Sequence, residues 1–179
     1  MVNIYLKGIG GWLLLVLVGL IISLLSSGMY FWQSFSVYQP DFWNALTTFD
    51  SEFYHPLFGT LFVYETILNG CLVIFNLLLL YLLFKKSPHF PKFMIAYFVS
   101  AVPLQLIDFT LGYSIFSTVP TLAEYFETDT ISLIEGSLRS IFQAVVWVPY
   151  FIRSKRVKLT FLNKEERFDH EDKPTIPAT

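Results

Sequence analysis

Long apolar stretches alternate with short polar or aromatic segments along the chain. Four are long enough to matter, at about Trp12–Tyr30, Leu61–Phe84, Phe93–Phe116 and Ile131–Ile152. A hydrocarbon core about 30 Å thick is crossed by about 20 mostly apolar helical residues, so each stretch predicts a transmembrane helix. Turn residues or charges bound them, as with Lys85-Lys86-Ser87-Pro88 after the second and Arg153-Ser154-Lys155-Arg156 after the fourth. The pattern predicts an all-α polytopic membrane protein, four transmembrane helices in a compact bundle over residues 1–162. A disordered cytoplasmic tail is expected over 163–179, where charges are mixed and apolar residues few. The first stretch follows Lys7 as a signal peptide would, and Ser26-Ser27-Gly28 resembles a cleavage region. Leu25 is a poor −3 residue and the apolar run continues through Trp32, so an uncleaved anchor is expected.

Composition sharpens the class. The chain is 54% hydrophobic and 15% charged, and 18% of its residues are aromatic; soluble domains carry about 25% charged residues. The formal net charge of −2 conceals a segregation of signs. Of the 12 Lys and Arg, one side takes Lys7, then Lys85, Lys86 and Lys92, then all those beyond the fourth stretch. Segments 31–60 and 117–130 have none, and hold Asp41, Asp50, Glu52, Glu124, Glu127 and Asp129. Basic residues stay in the cytoplasm, which places both termini and the middle loop there. At the fourth exit, Arg153, Lys155, Arg156 and Lys158 read as a topology anchor and as candidate contacts to anionic lipid headgroups, at roughly 1 kcal/mol per residue near the surface. Segment 31–60 is rich in Phe, Tyr and Trp; Pro40-Asp41 predicts a short helix with Phe42, Trp43 and Leu46 on one side. It is expected to lie flat on the outer leaflet, with a lid or docking surface over the bundle as the alternative.

Ionisable residues inside spans cost about 2.5–3.5 kcal/mol each. Glu65, Asp108, Glu135 and Arg139 are therefore the candidate site. Residues four apart share a helix face, which groups Glu65 with Asn69 and, two turns deeper, Asn76. The same spacing groups Glu135 with Arg139 and Gln143, and Gln105 falls beside Asp108. All four charges fall in the outer half of the bilayer. Arg139 is expected to pair with Asp108 and Glu135, leaving Glu65 as the proton-exchanging group. The small-residue stripes Gly136-Ser140-Ala144 and Gly19-Ser23-Ser27 predict close helix packing. The single cysteine, Cys71, excludes an internal disulfide and reads as a small packing residue.

Other chemistries lack their residues. His55, His89 and His170 fall in separate loops or the tail, without metal-ligand spacing. Gly8-Ile9-Gly10-Gly11 precedes a span rather than joining a strand to a helix, so it is no phosphate loop. No nucleophile triad is recognisable, no basic domain surface favours nucleic acid, and no cofactor is implied.

Gly8-Ile9-Gly10-Gly11-Trp12-Leu13, Trp147-Val148-Pro149-Tyr150-Phe151 and the run Ser154–Phe161 together resemble a bacterial family, the domain-of-unknown-function 2569 (YdgK-like) inner-membrane proteins. The resemblance extends from Gly8 to Phe161 and implies four spans in the bacterial inner membrane; it carries no known activity. The leading expectation is a non-enzymatic accessory or scaffold protein that engages a membrane-protein partner or a second copy of itself. A proton-linked small-solute transporter or channel component is the alternative, and an intramembrane enzyme a distant third. A dry, fully paired cluster favours the first; a cavity reaching Asp108 favours the second.

Overall fold

A computed structural model describes residues 10–119, 121, 124 and 130–162. Lys7, Gly8, Ile9, Glu127, Asp129, His170 and the tail 163–179 lie outside the described residues. Among the described residues the regular structure is all helical, with no strand. They form α1 (Trp12–Val37), α2 (Pro40–Thr47), α3 (Phe58–Phe84), α4 (Phe90–Thr118) and α5 (Thr130–Arg153). A short helix α6 (Lys155–Val157) then runs into a π-helical turn (Lys158–Leu162). Three of them, α1, α3 and α4, are long and apolar enough to cross a membrane. α5 has 24 residues, the length of a span, but carries Glu135, Arg139 and Gln143 along it.

Local chemistry sets the boundaries. α3 stops where Lys86 takes a left-handed φ of 52° and the Ser87 N–H turns back to the Leu82 carbonyl at 2.9 Å, a helix-ending arrangement that satisfies a terminal carbonyl. Proline stands in the first turn of both α2 and α4, where its missing N–H costs nothing. Hydroxyls within the apolar helices bond back to their own backbone: Ser27 donates to the Ser23 carbonyl at 2.7 Å and Ser34 to Tyr30 at 2.8 Å. Polar side chains on an apolar helix are thereby satisfied without a partner helix.

Neighbouring helices run antiparallel, as their pairings show. On α1 and α3, Tyr38 bonds Thr66, Phe31 packs on Gly70, and Ser23 meets Asn76. On α3 and α4, Tyr64 bonds Leu104 while Phe75 stacks on Tyr97. On α4 and α5, Gln105 lies against Gly136 and Phe98 stacks on Trp147. One end of this up-and-down arrangement therefore carries Lys85, Lys86, Lys92 and Arg153, and the other carries the acidic 31–57 segment.

Apolar clusters close both ends. At the basic end, Leu13, Leu83, Phe90 and Phe151 pack with Val157 and Phe161. The segment after α5 thus folds back beneath the helices, and Val157 and Phe161 are almost wholly buried. Gly10 and Gly11 lie under Arg156, whose Nη1 would stand 2.9 and 3.1 Å from an added Cβ. Gly11 also has a φ of +57°, a conformation that glycine adopts without strain. At the acidic end, Val37, Leu46, Phe58, Leu61 and Ile115 form a second cluster with Phe42 and Trp43 against it. The predicted short helix is present, but its apolar face packs onto the ends of the long helices, so it caps them instead of lying flat with that face in the leaflet.

Candidate functional site

Between the two apolar clusters the interior turns polar. Gly136 has no side chain, so Gln105 approaches α5 closely; a Cβ there would stand 3.2 Å from the amide nitrogen. The Gln105 amide donates to Asp108 Oδ2 at 3.0 Å, one helical turn along α4. The carboxyls of Asp108 and Glu65 face each other across α3 and α4 at hydrogen-bonding range.

A cavity of about 470 Å³ opens beside Asp108, walled by Gln105, Arg139, Ser140 and Gln143 and by apolar residues of α3 and α4. A second, of about 380 Å³, lies towards the basic end between α1, α4 and α5, with Gly19, Ser23 and Trp147 in its wall. Tyr97, Arg139 and Gln143 border both. The Tyr97 hydroxyl meets Ser23 Oγ at 2.8 Å, and Asn76 Nδ2 donates to the same oxygen at 3.1 Å. This three-helix link stands between the chambers, and Asn76, fully buried, keeps its Oδ1 without a partner. A third cavity, of about 630 Å³, lies at the acidic end beneath α2, with Trp43, His55 and Tyr64 in its wall. Tyr64 reaches from it to donate to the Leu104 carbonyl at 2.7 Å.

Several expectations are corrected by these contacts. Arg139 pairs with neither Asp108 nor Glu135: its exposed side chain borders both chambers, and Glu135 is exposed outside their walls. Asp108 instead takes Gln105 from its own helix and faces Glu65 from across. Asn69 turns back to the Glu65 carbonyl at 2.9 Å and does not reach the chamber. Asn76 belongs to the Ser23–Tyr97 link, not to the acids. Cys71 is exposed and borders the larger chamber rather than filling a core position.

Of the two small-residue stripes, the α1 stripe packs at Ser23, which meets Asn76 and Tyr97, and at the buried Ser27, but stays open at Gly19. Gly136 and Ser140 do let α4 and α5 approach, whereas nothing lies within 4 Å of a Cβ placed on Gly19. Of the four headgroup candidates, Arg153, Lys155 and Lys158 are exposed at the basic end, while Arg156 is half-buried against Gly10 and Gly11. Among the described residues no cluster of His, Cys, Asp and Glu has the arrangement of a metal site.

Tyr64, Tyr97 and Ser23 were not singled out as site residues. Tyr97 lies only about two turns from the basic end of α4, where tyrosine is common in a span, so no signal in the sequence marked its internal partners.

The family described as "protein of unknown function (DUF2569)" matches residues 6–162, and the chain belongs to it. No curated protein and no solved structure matches the chain. The matched region takes in both the Gly10-Gly11 turn and the Arg156 segment, which meet at the basic end.

Proposed function

We propose that this family member is a four-span inner-membrane protein with both termini in the cytoplasm, and that it moves a small polar solute with protons as a transporter or channel component. The observation that carries the reading is the cavity of about 470 Å³ reaching Asp108, whose size suits a small ligand (about 300–1,000 Å³). A scaffold needs only a dry, fully paired polar cluster, and the unpaired side chain of Arg139 beside open space argues against that.

The fourth span is α5. At about 1.5 Å per residue its 24 residues extend about 36 Å, and it lies antiparallel to α4 with its polar residues beside the chambers. The clustering of Lys85, Lys86, Lys92, Arg153, Lys155, Arg156 and Lys158 at one end supports a cytoplasmic location for that end. The acidic-end cavity above Tyr64 then becomes the outer approach to the Asp108 chamber. Four helices enclose little pathway, so the working unit is an oligomer of this chain.

The test is water access. In a Cys71→Ser background, a cysteine replaces Asp108, and membrane-impermeant thiol reagents are applied to right-side-out or inverted vesicles. Reaction from the outer face is expected. Labelling only from the cytoplasmic face, or from neither face, overturns the reading.

A further inference from the structure

Arg139 is, among the described residues, the only Lys or Arg in the wall of either chamber. Among the described residues nothing pairs with its guanidinium. Arginine stays charged in every protein setting and carries five N–H donors in a planar fork. Held within a membrane-spanning helix, such a group is costly unless water or an anion satisfies it. Glu135, one turn earlier on α5, does not supply that anion, and Asp108 is already engaged with Gln105 and Glu65.

The surroundings fit a ligand in the place of that missing partner. Arg139 and Gln143 lie one turn apart on the same helix, and both border both chambers. A fork of guanidinium donors beside a side-chain amide matches the two oxygens of a carboxylate or phosphate, the geometry for which arginine is favoured over lysine. Apolar neighbours such as Leu68, Leu72 and Phe75 in the same wall lower the local polarity and strengthen such a pairing.

We propose that Arg139, with Gln143 beside it, is the clamp of an oxyanion-binding site at the junction of the two chambers, taking a carboxylate or phosphate group. This rests on the chamber reading above and names the chemical class of its occupant. The oxyanion belongs either to a soluble ion that enters through the outer chamber or to a lipid headgroup that enters sideways.

Binding to the full chain separates the sources. Inorganic phosphate and succinate are measured by equilibrium dialysis in neutral detergent, and phosphatidylglycerol by native mass spectrometry. Wild type binds at least one probe, and Arg139→Gln weakens it at least tenfold. Gln143→Ala weakens it by a smaller factor, and Arg153→Gln, at the basic end, leaves it unchanged. Phosphate or succinate binding identifies a soluble ligand, and phosphatidylglycerol binding alone identifies a headgroup.

Failure of wild type to bind any probe overturns the inference. So does a probe that Arg139→Gln and Gln143→Ala both leave at wild-type affinity in protein that stays monodisperse. The thiol-accessibility experiment separates the two failures. An accessible position 108 without oxyanion binding sinks only this inference, whereas an inaccessible one sinks the transport reading as well.

Discussion

Phe161→Ala is the most direct probe of how the basic end is closed. Phe161 is 0% exposed and its ring centroid lies 4.8 Å from that of Phe90. A buried aromatic removes roughly 150–250 Å² from water, and at about 25 cal/mol per Å² that is about 4–6 kcal/mol. Burial already present in the unfolded chain reduces this by roughly 10–40%, to about 3–5 kcal/mol, the usual cost of a core Phe→Ala change. Phe161 shares the anchoring of the segment after α5 with Val157 and with Arg156 against Gly10 and Gly11, and its loss appears first as local release of that segment before global unfolding.

Each 1.4 kcal/mol is about tenfold in an equilibrium. The released state should therefore rise by about a hundredfold or more. Limited trypsinolysis at Lys155, Arg156 and Lys158 reads this directly, because cleavage follows the open population when reclosing is fast. Phe161→Leu, which keeps most of the apolar volume, should fall between wild type and Phe161→Ala. Phe49→Ala is the control, since Phe49 is 81% exposed. If Phe161→Ala is cleaved no faster than Phe49→Ala, the segment is not held by this packing and the account of the basic end is wrong.

Two glycines should respond oppositely to the same change. Gly11→Ala meets Arg156 and a φ of +57° and should cost about 1–2 kcal/mol in a detergent unfolding titration. Gly19→Ala has nothing within 4 Å and should be neutral or stabilising by up to about 1 kcal/mol from helix propensity; a destabilised Gly19→Ala would show that α1 packs more tightly there. At the acidic end, His55 Nδ1 accepts the Leu57 N–H at 3.2 Å, and burial lowers its pKa from 6.5. The folded state then binds fewer protons than the unfolded one, so this contribution is present above the unfolded pKa and is lost as pH falls through it towards the folded value. Hydrogen exchange at the Leu57 amide, corrected for intrinsic rate, should accelerate between about pH 7.5 and 5.5, and His55→Asn should abolish that extra dependence. An amide indifferent to pH across this range would refute the coupling.

The helices and their order were legible because apolar run length is a one-dimensional property. Only a helix or a closed barrel satisfies the backbone across an apolar slab. Continuous apolar runs of about 20 residues fit the helix and not a barrel strand of about 10, so runs bounded by charges such as Lys85-Lys86 leave little freedom. The ends were less so. α1 continues to Val37 because the aromatic residues after Tyr30 suit a helix as well as a loop. α2 turns its Leu46 face inward only because Phe58 and Ile115 offer an apolar seat that lies far from it in the chain.

The candidate site was half legible for the same reason. That Glu65, Asp108 and Arg139 are special follows from their cost in an apolar run, whatever they touch. Who pairs with whom depends on rotations between helices, which a periodic pattern leaves open. Two charges on neighbouring helices look like a salt bridge until the packing turns one of them away. The sequence by itself therefore determined the membrane class, the long helices, the segregated charges and the expensive residues. Only the tertiary structure decided that Gly136 admits Gln105 to Asp108, that Ser23 and Asn76 hold Tyr97 between two chambers, and that Arg139 borders both with no acid to meet it. The physical reason is that cost is carried by a residue and its immediate run, whereas partnership is a property of surfaces brought together from distant parts of the chain.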